Sequence, residues 1–165
     1  MQYMSWFPGF LGAIERSSVG DAVRLTPSLY PVLESLHVLG IALLVGSAVA
    51  VDLRLLGVGR SVLPVTVVAR YLLPLSHIGF GLAVVTGLAM FTGVALQVGT
   101  SAAGPWKLGL IVVAGINIAV FHAGIYRTVD KWDIHTGTPV RAKIAAVVSV
   151  LTWTGVIIAG RFLAY

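Results

Sequence analysis

Four apolar runs, at about 31–51, 71–96, 106–126 and 142–163, decide what this chain can become. Each is near or above the roughly 20 residues that carry a helix across the hydrocarbon core of a bilayer. Lipid offers no partners to backbone amides and carbonyls, so each run must satisfy its own, as a helix. Hydrophobic residues make up 58% of the chain and charged residues 10%, where a soluble domain has about 25% charged. So little polar surface points to the bilayer as solvent. The sequence predicts an all-α, integral-membrane four-helix bundle, a single transmembrane domain over residues 1–165.

The connections contain the breakers: Gly57, Gly59 and Pro64, then Gly99, Gly104 and Pro105, then Gly137 and Pro139. Short connections make neighbours antiparallel and the bundle up-down. Residues 62–70 can either extend the second helix or lie along the surface. Residues 1–28 mix Trp6, Phe7, Phe10, Leu11 and Ile14 with Pro8, Gly9 and Gly12, and then with Glu15, Arg16, Asp21 and Arg24. They lack the positive start and unbroken apolar middle of a signal peptide. We expect one or two short helices in the interface, with Trp6, Phe7 and Tyr30 at headgroup level.

Charge sets the orientation. Arg54, Arg60 and Arg70 flank the first connection, and Arg127, Lys131, Arg141 and Lys143 the third, which is seven of the eleven basic residues. Positive connections stay in the cytoplasm, so both termini are expected outside. The net charge of +5 does not indicate nucleic acid, because no basic patch with interleaved aromatics is present. The absence of cysteine excludes disulfides, iron–sulfur clusters and thiolate metal sites.

Ionisable groups at membrane depth are costly and mark function or pairing. Glu34 and His37 are three apart, so they can meet on one helix face. A di-iron carboxylate site needs a second Glu-x-x-His, and the chain has none. Asp52 and Arg54 are expected as a helix-end ion pair and topology anchor. Counted from Arg70 and Arg127, His77 and His122 lie roughly 10 and 8 Å deep. His77 with His122 is therefore the first candidate pair, and His37 with His77 the second. Two imidazoles at one depth can clasp a haem iron or hold copper, with Glu34 as a further metal ligand beside His37. Each histidine can equally serve the bundle alone, bonded to a carbonyl, to Glu34 or to Asn117. His135 reads as a surface-loop residue. Small residues such as Gly40, Gly79, Gly81, Gly87, Gly109, Gly115 and Gly155 are expected at helix contacts. Asn117 should bond across helices. Ser149, Trp153, Val156 and Gly160 share one face of the fourth helix, where an indole packs or lines a cofactor pocket.

The quoted residues resemble a bacterial integral-membrane family known only as a domain of unknown function. The resemblance runs through Glu34-Ser-Leu-His37-Val-Leu-Gly40, Asp52-Leu-Arg-Leu-Leu-Gly57, Trp106-Lys107, Phe121-His122 and Gly160-Arg161-Phe-Leu-Ala-Tyr165. It implies four spans in a bacterial inner membrane and carries no activity. More distantly, the bundle is similar to copper-resistance membrane proteins and to four-helix b-type cytochromes. The leading expectation is a subunit for electron transfer that binds haem b or copper, with His37, His77 and His122 as the ligand pool. Its partners would be quinone or another membrane redox protein. The alternatives are a non-catalytic accessory subunit that packs through its glycine faces against a larger complex, or a small transporter or metal permease using the Glu34–His37 pair; a homo-oligomer is a further candidate partner.

Overall fold

The computed structural model describes residues 6–163. Two short helices, α1 (Trp6–Glu15) and α2 (Ser18–Leu25), precede the long α3 (Leu29–Leu56) and α4 (Val65–Gly93). A short α5 (Ala95–Thr100) leads into α6 (Ala103–Ala123), a 3-10 segment spans Ile125–Lys131, and α7 (Val140–Phe162) closes the chain. No strand occurs among the described residues. Helices α3, α4, α6 and α7 are each long and apolar enough to cross a membrane. The chain is a multi-pass, all-α membrane protein.

Local sequence sets the boundaries. Gly57 ends α3 with φ +115°, a conformation that a Cβ disfavours. The Val58 amide then bonds back to the Leu53 carbonyl at 3.0 Å, the closure of a Schellman motif. Pro64 and Pro139 stand immediately before α4 and α7. The ambiguous stretch 62–70 resolves as helix from Val65 onward. Pro74 has no N–H, so it removes one rung of the α4 hydrogen-bond ladder without ending the helix.

The four long helices alternate in direction and pack in the order α4, α3, α7, α6. The α3–α4 contact is the closest. A Cβ on Gly40 would fall 2.7 Å from the Ala83 nitrogen, and one on Gly79 would fall 2.7 Å from the Gly40 carbonyl. Gly46, Gly81, Gly109 and Gly115 have nothing within 4 Å of such a Cβ. The packing expected of Gly81, Gly109 and Gly115 is not made. Helices α4 and α6 have no packed interface, so the row is left open along one side.

The two ends differ. At the end bearing the third connection, Val51, Leu55, Val65, Phe121, Val129, Trp132, Ala142 and Ala146 form a core cluster. Asp133 caps α4 there, its carboxylate accepting from the Thr66 amide at 2.8 Å and the Thr66 hydroxyl at 2.7 Å. Arg54 donates to the carbonyls of Leu63 and Asp133. We call this the basic end. At the opposite end, α1 packs on α5 and α2 on α4. Glu15 accepts from the Leu96 amide at 2.8 Å. The short N-terminal helices expected from sequence are present; the Trp6 side chain lies outside the described residues.

Candidate functional site

A cleft of about 320 Å³ lies along the open side of the bundle. Leu44, Leu55, Val65, Leu73, Phe80, Ile111 and Phe121 give it largely apolar walls. Its polar groups are few: Asp52 from α3, Ser76 and His77 from α4, Asn117 and His122 from α6, Tyr126, and Ser149 and Trp153 from α7. A concave, mainly apolar space with a few convergent polar groups is the usual form of a small-molecule site. A second groove, between α6 and α7 at the end opposite the basic one, is shallow and almost wholly apolar.

The cleft brings His77 and His122 into one space, at different levels. Ser76, next to His77, donates to the Leu44 carbonyl at 3.4 Å. Phe121, next to His122, belongs to the cluster of Leu55 and Val65. Leu44 and Leu55 are eleven residues apart on α3, roughly 16 Å. The two histidines therefore stand at opposite ends of the cleft, about three turns apart. The shared depth expected from sequence fails because Arg70 and Arg127 do not mark equivalent levels. Arg70 lies more than a turn inside α4, and Arg127 lies beyond the end of α6.

The hydrogen bonds of the histidines follow from their surroundings. His122 Nδ1 is 3.0 Å from the Ile118 carbonyl, which makes Nδ1 the donor and leaves the Nε2 lone pair free. Its ring meets Phe121 edge-on at 5.2 Å and Tyr126 at 5.1 Å between centroids. His77 has no hydrogen-bond partner among the described residues and is exposed. Tyr126 follows the last turn of α6, and its phenol is pushed above the usual range by burial first, then by Asp133 and Asp130. It is a neutral donor or acceptor at physiological pH.

His37 does not join the cleft. Its Nδ1 is 3.0 Å from the Thr86 hydroxyl. That hydroxyl donates to the Leu82 carbonyl at 2.6 Å, so it accepts from His37. The expected Glu34–His37 pair is not formed: Glu34 is exposed, and His37 turns toward α4. The Asp52–Arg54 ion pair is not formed either. Residues two apart on a helix do not face one another. Arg54 turns to the connections, and Asp52 turns inward, with Ser149 as its hydrogen-bonding neighbour. Asn117 does bond across helices, donating to the Ala145 carbonyl at 2.9 Å. His135 lies exposed in its loop.

Two deeply buried polar groups of the cleft are ones that the sequence pattern undervalues. Asp52 is 6% exposed and Trp153 5%. The Asp52 Oδ2 and Trp153 Nε1 atoms are buried and have no hydrogen-bond partner. Buried polar atoms are paired in the great majority of cases, so an unpaired acceptor and an unpaired donor in one cleft call for an explanation. The signal in the sequence is Asp52 itself, a carboxyl set directly after the first apolar run.

The residues do not fit a haem gripped between His77 and His122, because axial ligands must share one level. No group of three or more His, Cys, Asp or Glu side chains suited to a metal ion occurs among the described residues. No curated protein and no solved structure matches the chain. A family model matches residues 10–165, and by that match the chain belongs to DUF6644, a family of unknown function.

Proposed function

We propose that this chain binds a membrane-dissolved electron carrier of the quinone class, as a subunit of an electron-transfer system in a bacterial inner membrane. The observation that carries the reading is the cleft between α4 and α6, apolar in most of its walls, with Asp52 and Trp153 the buried members of its few polar groups. A flat ring with polar edges suits its volume, which is near the lower end of small-molecule pockets at about 300 Å³. The open side between α4 and α6 gives an isoprenoid tail a way into lipid. The basic end faces the cytoplasm in this reading, so the cleft serves the cytoplasmic half of the bilayer. The electron-transfer role expected from sequence is kept, and the haem clasp is not.

Protein purified in nanodiscs should bind a short-chain benzoquinone with saturable heat in titration calorimetry. The Phe80→Trp variant, which narrows the wall, should weaken that binding. Absence of saturable binding by either the quinone or its quinol sinks the reading. An absorption spectrum with a Soret band would restore haem to the site by ligands other than the His77–His122 clasp. A second reading, a cofactor-free subunit of a larger complex, draws support from the unpacked glycines Gly109 and Gly115. Stoichiometric co-purification of a partner with an empty cleft would favour it.

A further inference from the structure

We infer, resting on the quinone-class reading, that Asp52 and Trp153 make the cleft selective for the reduced, quinol form of its ligand. Asp52 offers an acceptor oxygen, Oδ2, and Trp153 an N–H donor, Nε1, each buried and unpartnered. Both side chains line the cleft, with Ser149 between them in register. Ser149 and Trp153 are one turn apart on α7, and Ser149 neighbours the Asp52 carboxyl. The two residues that carry the open positions therefore lie about one turn, roughly 6 Å, apart along the bundle. Arg54 gives Asp52 no counter-charge, being bonded to Leu63 and Asp133.

A quinol hydroxyl is both donor and acceptor. One hydroxyl can donate to Asp52 Oδ2 while the ligand's second oxygen accepts from Trp153 Nε1–H, which satisfies both atoms with one ligand. A quinone carbonyl can only accept. One carbonyl serves Trp153, and the other stands against Asp52 Oδ2, acceptor against acceptor. A buried group left unpaired carries the full cost of desolvation. Both atoms are closed to water in the free cleft, so the head group reaches them through a small side-chain adjustment.

The test compares two ligands on one protein. Wild-type chain in nanodiscs is titrated with a short-chain benzoquinone, and separately with its hydroquinone kept reduced under argon. We expect the hydroquinone to bind roughly tenfold tighter, the ratio set by one hydrogen bond made or left unmade at Asp52 Oδ2. Asp52→Asn places an amide N–H where only an acceptor stood, and should abolish or reverse that ratio. Trp153→Phe should weaken both forms. A wild-type protein that binds quinone as tightly as quinol, or tighter, overturns the selectivity and leaves the binding reading intact. Binding of neither form overturns both. The wild-type comparison decides the matter even if a variant fails to fold.

Discussion

Gly79 of α4 lies against Gly40 of α3 so closely that a Cβ added to it would fall 2.7 Å from the Gly40 carbonyl. Real Cβ atoms do not approach a backbone oxygen at that distance, and backbone cannot step aside as a side chain can. We predict that Gly79→Ala forces α3 and α4 apart and costs about 2–3 kcal/mol. Gly81→Ala, two residues on and facing open space, should change stability by no more than about 0.5 kcal/mol. Thermal unfolding in one detergent measures both. Equal effects would refute the close contact.

The His37–Thr86 bond gives a second prediction. Thr86→Val keeps the shape of the side chain and removes the acceptor of the His37 N–H. The loss should be about 1 kcal/mol, without effect on ligand binding in the cleft. Gly87→Ala should act on the same contact, since its Cβ would fall 2.8 Å from His37 Cε1. The Thr86→Val and Gly87→Ala losses should not add, which a double-mutant cycle by thermal unfolding reads directly.

A third prediction concerns the cap on α4. Asp133→Ala removes the acceptor of the Thr66 amide and hydroxyl and should cost about 1–2 kcal/mol. Hydrogen exchange should rise in the first turn of α4 and stay unchanged at its far end. Arg54→Lys should cause a similar loss, because a point charge cannot span the Leu63 and Asp133 carbonyls as a guanidinium fork does.

Orientation is testable because the chain has no cysteine. Gly137→Cys, in the connection before α7, should react with a membrane-impermeant maleimide only after the cells are opened. Ser101→Cys, in the connection before α6, should react on intact cells. The reverse pattern would invert the assignment from charge.

Much of this fold is legible in the sequence, because bilayer thickness and backbone hydrogen bonding leave few choices. The four spans, the up-down order and the short N-terminal helices follow from apolar length and breakers. The helix α5 and the 3-10 segment at Ile125–Lys131 were not foreseen, since both sit in stretches whose composition suits helix and turn alike. The site was harder to read. Placing histidines by depth requires knowing where each helix starts, and basic residues are poor rulers: Arg70 is inside its helix and Arg127 outside. The pairs Glu34–His37 and Asp52–Arg54 look natural in one dimension. Contacts on neighbouring helices decided otherwise, giving His37 to Thr86 and Arg54 to two carbonyls. Trp153 could be placed on a face from its spacing, but not known to lack a partner.

Arg54 and Asp133 are separated by 79 positions in the chain, and that gap has a consequence for biogenesis. The first two spans can enter the membrane as a hairpin while the ribosome is still making the third. The contact that fixes Arg54, and the cap that starts α4, must wait until the third span has crossed and Asp133 has emerged. Until then a guanidinium and a helix terminus stay open to water. The bundle is latched last at its basic end.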